Sequence, residues 1–248
     1  MKKEADHFYL KKMGDRGKFK IWIVDGNYIR TNMDEEFTNY GQHCRFKFIP
    51  KNELWIDKEY GGDDESEFYI DIMLNINRFI SQGLNHKEAV RRVNIIERKE
   101  RRKSEFFKRS IGKTNKKEEE IKAVKKELIK KYSSKMKVWI VNGELVRDLF
   151  FLDFTEGGHD KVYHFIPKNE IWIDDDVSSN ERKFVLLHEI HERNLMSRGK
   201  DYKSAHRSSS KIEFFARHNP KEFKKIIFKE IKIMKSFNKL LVKNKHLS

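Results

Sequence analysis

Two short segments, KIWIVDG at Lys20–Gly26 and KVWIVNG at Lys137–Gly143, are near-identical copies that lie 117 residues apart in a chain of 248 residues. A second pair follows at the same offset: FIPKNELWID at Phe48–Asp57 recurs as FIPKNEIWID at Phe165–Asp174, with one conservative change. Two matches in the same order and at one offset indicate an internal duplication. The chain is therefore expected to contain two copies of one folding unit.

Both copies open with segments that are typical of β-strands. Ile21–Val24 and Val138–Val141 are β-branched and aromatic runs that end in Asp-Gly or Asn-Gly, dipeptides favoured in two-residue hairpin turns. We therefore expect return strands that begin near Tyr28 and Leu145. Pro-Lys-Asn turns predict a second strand pair in each copy, Cys44–Ile49 with Glu53–Asp57 and Val162–Ile166 with Glu170–Asp174.

Helices are predicted after the strands of each copy. Glu65–Gln82 matches Ser178–Arg198, and each segment is followed by a glycine that can end a helix. Ser178 and Glu181 have the spacing of a capping box, in which each side chain binds a backbone N–H of the other. The second of these helices is therefore expected to begin at Ser178.

Two further helices are predicted in each copy. One begins after Asp201, its N-cap, and corresponds to a helix near Lys87–Arg98; the last begins at Pro220 and corresponds to Thr114–Lys131. The predicted fold class is α+β. Two tandem homologous units, at residues 1–133 and 134–248, each consist of a small antiparallel sheet of about four strands followed by about three helices.

The composition is that of a basic, folded protein. The chain has 54 lysine and arginine residues against 39 acidic ones, a formal net charge of +15 and 38% hydrophobic residues. No apolar run approaches the roughly 20 residues of a membrane-spanning helix, and the first residues lead to no apolar signal core. A single cysteine, Cys44, excludes an internal disulfide. The expected location is the cytoplasm, without membrane insertion.

Most of the excess positive charge lies in two segments. Residues 98–131 contain 15 basic and 6 acidic residues, and residues 220–248 contain 9 basic and 2 acidic ones. Such lysine-rich helices can bind nucleic acid or another acidic partner with an affinity that falls steeply with salt. They can also be the solvated faces of outer helices, and the sequence is compatible with both interpretations.

The helix predicted at Ser178–Arg198 carries polar residues on its apolar side. His188 and Glu192 lie about one turn apart and share a face with large apolar residues. A buried carboxylate costs several kcal/mol unless it is paired or bound to a metal. If the next helix packs against this one, His206 reaches the same place. We expect these three side chains to bind a divalent metal, and zinc suits the donor set best.

The first copy provides a comparison within the chain. At an offset of 116 residues, which pairs Gly83 with Gly199, His188 corresponds to Ile72, Glu192 to Ile76 and His206 to Val90. Aliphatic counterparts are expected if these positions face inward in both copies and only the second copy keeps polar groups there for chemistry.

Three more residues are candidates for additional ligands or for neighbours of the ligands. His159 follows two glycines, which can simply provide a flexible turn. His191 is one position away from a ligand, so it is expected to pack or to support one. Glu213 corresponds to Glu97 or, if the two Phe-Phe pairs are aligned, to Glu105.

HEIHE at His188–Glu192 resembles the HExxH helix of zincin-type metallopeptidases, with Glu192 in the place of the second histidine. The resemblance covers this helix and the start of the next. It implies that His188, Glu192 and His206 bind zinc and that Glu189 acts as the general base on a water molecule at the metal. It also implies hydrolysis of peptide bonds, with phosphodiester hydrolysis as the next alternative.

Other interpretations of the same residues are compatible with the sequence. His188, Glu192, His206 and Glu213 can form a buried hydrogen-bond network without a metal, or the helix can be a solvated face. The sequence therefore predicts a metal-dependent hydrolase with its site in the C-terminal unit. The alternative is a non-enzymatic nucleic-acid-binding or assembly protein whose polar helix pair is structural.

Overall fold

The computed structural model describes residues 7–60, 65–111, 116–133 and 136–244. The chain forms two compact units: unit 1 comprises Met1–Lys116 and Glu144–Asp153, and unit 2 comprises Lys117–Gly143 and Phe154–Ser248. These units do not coincide with the repeats at 1–133 and 134–248, because part of each repeat is built into the other unit. Residues 134 and 135, beside the predicted boundary, lie outside the described residues.

Unit 1 consists of a four-stranded sheet followed by three helices, with one short helix between strands. Its elements are β1 (Tyr9–Arg16), β2 (Phe19–Val24), α1 (Gly26–Asn32), β3 (Tyr40–Gln42), β4 (Glu53–Asp57), α2 (Glu65–Ser81), α3 (His86–Arg101) and α4 (Glu105–Ile111). The strand order is β1-β2-β4-β3. β2 and β4 run parallel, whereas β1–β2 and β3–β4 are antiparallel.

Unit 2 repeats this plan. Its elements are α5 (Lys117–Val124), β5 (Lys125–Leu128), β6 (Lys137–Val141), β7 (Gly157–His159), β8 (Glu170–Asp174), α7 (Arg182–Met196), α8 (Tyr202–His218) and α9 (Pro220–Asn244). The strand order is β5-β6-β8-β7, with β6 and β8 parallel. Helix α6 (Gly143–Leu149) follows β6, and its residues from Glu144 onward belong to unit 1.

Two four-stranded sheets, each followed by helices, confirm the predicted α+β class. The sheets are mixed instead of purely antiparallel, because the two central strands of each sheet are parallel. In β4, Leu54, Trp55 and Ile56 are at most 1% exposed, and Ile171–Ile173 of β8 are fully buried. A strand that is apolar on both faces is typical of a parallel neighbour and of cover on both sides of the sheet.

The Asp25-Gly26 dipeptide begins a helix instead of the predicted hairpin. The Asp25 carboxylate accepts the Tyr28 N–H at 3.1 Å and so caps α1. Gly26 donates its N–H to Asp57 Oδ1 at 3.2 Å, and a Cβ at Gly26 would overlap the Asp57 carboxylate. The glycine is required by this close approach. The expected return strand near Tyr28 is therefore wrong.

The second copy uses the same device. Gly143 packs against Asp174 so closely that a Cβ would overlap that carboxylate, and α6 begins at Gly143. The return strand expected near Leu145 is therefore also wrong. The predicted strands at Cys44–Ile49 and Val162–Ile166 are turns, and the short strands β3 and β7 pair with β4 and β8 in their place.

The helices after each sheet have one common register. Asn85 caps α3 by accepting the Glu88 N–H, and Asp201 caps α8 by accepting the Ser204 N–H. Because these caps are 116 residues apart, the counterpart of Glu213 is Glu97, and the alignment with Glu105 is wrong.

Two helix predictions differ from the structure. α7 begins at Arg182 and not at Ser178, and the residue at its N-cap position, Glu181, makes no side-chain cap; one oxygen of its carboxylate binds Arg217. The counterpart expected for the last helix, Thr114–Lys131, is instead the short helix α5 followed by strand β5, which pairs with β6. Residues 114 and 115 of that prediction lie outside the described residues.

Membrane insertion was not expected from the sequence. Within the part of the chain that the structure describes, no helix is both long and apolar enough to span a bilayer.

Candidate metal centre

Two consecutive helices of unit 2 carry the predicted metal ligands. Gly199, with a φ of 88°, follows α7 in a conformation that glycine adopts easily, so the chain can turn there. Asp201 then caps α8, and α8 packs extensively against α7. This packing brings together the side chains of His188, Glu192 and His206, as the sequence predicts.

The three donor atoms form a small triangle. His206 Nδ1 lies 2.8 Å from Glu192 Oε2 and 3.1 Å from His188 Nε2. His188 Nε2 lies 3.6 Å from Glu192 Oε2. In a tetrahedral zinc site with bonds of about 2.0–2.1 Å, donor atoms stand about 3.3 Å apart. The triangle therefore fits one ion with three protein ligands, and its nitrogen and oxygen donors suit zinc.

His188 is oriented from its far side by Glu213. His188 Nδ1 lies 2.9 Å from Glu213 Oε2, and two nitrogens of Arg217 donate to the other oxygen of Glu213 at 2.7 and 3.1 Å. A carboxylate in this position accepts the Nδ1–H, so that Nε2 offers its lone pair to a metal. Glu213 is thus placed to support a ligand.

Opposing effects set the charges of this pair. Burial favours the neutral form of Glu213, but His188 and then Arg217 outweigh burial and lower the pKa of Glu213 to about 2. Burial likewise disfavours protonation of His188. The adjacent carboxylates of Glu192 and Glu213 nevertheless raise the pKa of His188 well above the usual value. Without a metal, the centre therefore attracts a positive charge at the position of His188.

Glu192 is held by a histidine on its other oxygen. His159 Nε2 lies 3.1 Å from Glu192 Oε1, and His159 Nδ1 accepts the Lys161 N–H at 3.2 Å. Because Nδ1 is an acceptor, the proton of the neutral ring is on Nε2, which donates to Glu192. Burial lowers the pKa of His159 despite the nearby Glu192 carboxylate, so the ring is neutral.

His159 thus supports the candidate ligand Glu192. His159 is fully buried on strand β7. The two glycines before it belong to the same strand and do not form the flexible turn that was the alternative interpretation. Burial alone would raise the pKa of Glu192, but the hydrogen bonds from His159 and His206 and the nearby His188 lower it.

Glu189 lies beside the triangle without a partner. It is 9% exposed, and among the residues that the structure describes no hydrogen bond or ion pair reaches its carboxylate. Its carboxylate lies within 4.8 Å of donor atoms of His159 and Glu192. Burial, and then the charge of Glu192, raise the pKa of Glu189 to about 8. Such a group can take up and release a proton near neutral pH.

His191 points away from the triangle. Its Nε2 lies 3.0 Å from Ser208 Oγ on α8, and its Nδ1 lies 3.1 Å from Glu230 Oε1 on α9. Asn194 donates to the other oxygen of Glu230 at 2.8 Å. These contacts connect α7 with α8 and α9, so His191 belongs to the packing of the three helices.

Two residues behind the centre, Glu181 and Arg217, were not predicted as part of the site. Arg217 connects Glu213 with Glu181, and all three side chains are less than 10% exposed. Comparison of the two copies contained the signal, because Glu65, Glu97 and Arg101 lie 116 residues before Glu181, Glu213 and Arg217.

Comparisons of the chain with protein-family models, with characterised proteins and with solved structures find no match. The resemblance to zincin-type metallopeptidases therefore stays a prediction from the residues of α7 and α8.

Proposed function

We propose that the protein is a metal-dependent hydrolase whose site lies in unit 2, with zinc as the first candidate for the ion. The observation that carries this proposal is the triangle of His188 Nε2, Glu192 Oε2 and His206 Nδ1, with separations of 2.8, 3.1 and 3.6 Å. Two nitrogens and one carboxylate oxygen that converge at these separations offer the ligand set of a divalent cation, and such a cation would compensate the buried carboxylate.

The surrounding residues have distinct roles in this proposal. Glu213 orients His188, and His159 orients Glu192, so two of the three ligands are fixed by hydrogen bonds. A divalent ion, when bound, would supply a Lewis acid that polarises the bond to be cleaved and makes water more acidic. Its positive charge would also lower the raised pKa of Glu189, so that the ionised carboxylate could accept a proton from water and pass it to the leaving group.

Peptide hydrolysis is placed ahead of phosphodiester hydrolysis. The reason is the position of Glu189 directly after the first ligand, His188, which resembles the general base in the zincin motif. Glu192 in the place of a second histidine gives a donor set of two nitrogens and one oxygen, a mixed set that also suits ions used in phosphodiester hydrolysis.

The second candidate is a non-enzymatic nucleic-acid-binding or assembly protein in which the polar helix pair is structural. One observation favours it, because the network can close without an ion. His188 can donate to Glu213, while His159 and His206 both donate to Glu192. A fully connected buried network of this kind rigidifies a core without catalysing a reaction.

Elemental analysis of the purified, tag-free protein tests the proposal first. We expect about one zinc, manganese or iron ion per chain in the wild type. His188→Ala/His206→Ala should abolish binding, whereas the control His86→Ala/His164→Ala, which removes two exposed histidines, should retain it.

Cleavage of a fluorogenic peptide library and of a phosphodiester substrate should follow metal content across these proteins and stop with a chelator. Absence of metal from all of them after incubation with divalent ions would support the structural alternative. Equal metal content in the double variant would place the ion elsewhere.

A further inference from the structure

The outer face of α3 in unit 1 is a basic groove. The groove has a volume of about 430 Å³ and is lined by Arg91, Asn94, Ile95, Arg98, Lys99 and Arg102. Four of these six residues are cationic and none is acidic. The lining comes from one side of a helix whose opposite side, with Ala89 and Val93, is fully buried.

The positive charge of this groove is only partly compensated. Arg91 pairs with Glu88 at 2.8 Å, and Arg98 donates to the Leu149 carbonyl at 3.3 Å. For Lys99 and Arg102, the described residues provide no acidic partner. A surface with uncompensated cations attracts anions by its field.

An apolar side chain lies among these cations. Ile95 is 60% exposed, and Ile96 beside it is 38% exposed. A small inorganic anion makes no favourable contact with such apolar side chains. An unpaired nucleic-acid strand presents phosphates, sugars and base faces to the same surface, so it can contact both the cations and Ile95. A duplex covers its base faces and matches the groove less well.

The groove is a property of unit 1. At the positions of Arg98, Lys99 and Arg102, helix α8 of unit 2 has Phe214, Phe215 and His218. The duplicated helix therefore carries three cations in one copy and three aromatic rings in the other. Shared ancestry of the two helices does not explain these cations.

We propose that the groove along α3 binds an unpaired nucleic-acid strand through its phosphates. The helix rises about 16 Å between Arg91 and Arg102 at about 1.5 Å per residue, which is long enough to follow several consecutive phosphates. The sequence predicted two basic segments as candidate binding surfaces for nucleic acid. We assign binding to Arg98, Lys99 and Arg102 of segment 98–131 and assign no binding to segment 220–248. Residues 112–115 and 245–248 of those segments lie outside the described residues.

Fluorescence anisotropy with a labelled oligothymidylate of about 20 nucleotides tests the proposal on the full chain. A chelator is present, so the result is independent of the metal centre. The test variant is Arg91→Gln/Lys99→Gln/Arg102→Gln. The matched control, Lys221→Gln/Lys224→Gln/Lys232→Gln, removes three exposed lysines of α9 and changes the net charge by the same amount.

We expect the α3 variant to bind at least about tenfold more weakly, and the α9 variant less than about threefold more weakly. The slope of log affinity against log salt should become shallower by about 2 for the α3 variant, since each lost phosphate contact removes about 0.7 for a single strand. Circular dichroism melting of all three proteins verifies that the variants remain folded.

Several results would overturn the proposal. Equal weakening of both variants would mean that binding follows net charge and not the groove. Undetectable binding by the wild type at low salt would reject it outright. A third result would be tighter binding of the wild type to a duplex, or to vesicles with acidic lipids, than to the single strand, with loss of that binding in the α3 variant. Such a result would assign the groove to the duplex or to the lipid surface. None of these results bears on metal content or hydrolysis, so the metal centre stands or falls separately.

Discussion

The same helix face is aliphatic in unit 1 and polar in unit 2. Ile72 and Ile76 of α2 are 3% and 5% exposed and belong to the apolar cluster of unit 1, with Val90 of α3 packed against it. The counterparts of these three residues are the candidate ligands of unit 2. Because unit 1 builds the same pair of helices from aliphatic side chains, the fold does not require polar groups at these positions. Their presence in unit 2 therefore points to chemistry.

The ion pairs behind this face are common to both units. Arg101 lies 3.0 Å from Glu65 and 3.5 Å from Glu97, as Arg217 contacts its two glutamates in unit 2. The pKa values of the equivalent carboxyl groups of Glu97 and Glu213 are nevertheless shifted in opposite directions. The pKa of Glu97 is raised by burial to about 7, whereas that of Glu213 is lowered to about 2. The arginine thus belongs to the fold. His188 and the hydrogen bonds from Arg217 lower the pKa of Glu213, whereas Glu97 has neither and lies near other acidic groups.

The largest expected effect comes from placing the polar residues in unit 1. In metal-free buffer, Ile72→His/Ile76→Glu/Val90→His should destabilise the protein by more than about 5 kcal/mol, because three polar groups enter an apolar cluster without designed partners. Urea unfolding measures this loss. The control Ile72→Leu/Ile76→Leu should cost less than about 3 kcal/mol. A small loss for the polar triple would show that unit 1 accommodates these groups already.

The next prediction distinguishes the buried arginine–glutamate ion pairs, which both units contain, from the candidate metal centre, which only unit 2 contains. Arg101→Met and Arg217→Met should each cost about 3–5 kcal/mol in thermal or urea unfolding, because each leaves buried carboxylates uncompensated. Only Arg217→Met should also weaken metal binding, by about 10- to 100-fold, since Arg217 holds Glu213 behind His188. Calorimetric titration with zinc compares the two. Equal metal affinities would contradict the proposed role of Arg217.

The converse replacement should affect metal binding far more than folding. His188→Ile/Glu192→Ile/His206→Val gives unit 2 the residue types of unit 1. We expect complete loss of bound metal, with metal-free stability lowered by less than about 1 kcal/mol, because apolar replacement of a buried polar network is often neutral or stabilising. A metal-free triple variant that fails to fold would instead show that unit 2 depends on the network for its structure.

The smallest expected effect is on the pH dependence of the free energy of unfolding, to which Glu97 in unit 1 and Glu213 in unit 2 contribute with opposite signs. A carboxyl group with a raised pKa stabilises the fold fully below its unfolded pKa of about 4.5, and this contribution is lost as the pH rises through about 7 for Glu97. The stability of Glu97→Gln relative to wild type should therefore rise between pH 5 and pH 7.5, by on the order of 1 kcal/mol.

Glu213 provides the matched comparison. Its lowered pKa contributes stability above about pH 4.5, which is lost as the pH falls towards 2. With a chelator present, Glu213→Gln should therefore be less stable than wild type at pH 7.5, and the difference should shrink under acidic conditions. Urea unfolding of both variants from about pH 2 to about pH 7.5 covers both pKa shifts and measures both signs. Parallel curves would mean that the two glutamates have the same environment.

Much of the fold and of the candidate metal centre could be predicted because the chain contains two copies of one unit, which can be compared with each other. The duplication predicted two sheets followed by helices, and strands β4 and β8 lie where the sequence placed them. Helical periodicity, together with the aliphatic counterparts in unit 1, is enough to predict that His188, Glu192 and His206 lie together. These inferences depend on local spacing and on register, which the sequence contains.

The rest depends on contacts between distant segments. Asp25-Gly26 favours a hairpin locally, but the buried Asp57 carboxylate, 31 residues away, accepts the glycine N–H and fixes a helix start. His159 supports Glu192 only because β7 pairs with β8 at the edge next to α7. No local propensity encodes which strand lies beside which helix, so such positions follow from tertiary packing alone.

Anomalous diffraction from zinc-loaded crystals, measured above and below the zinc absorption edge, tests the central claim most directly. The account predicts one anomalous peak per chain, about 2.0–2.1 Å from His188 Nε2, Glu192 Oε2 and His206 Nδ1, and no peak beside Ile72 and Ile76 in unit 1. A peak elsewhere in the chain, or none at the three donors in fully loaded crystals, would contradict it.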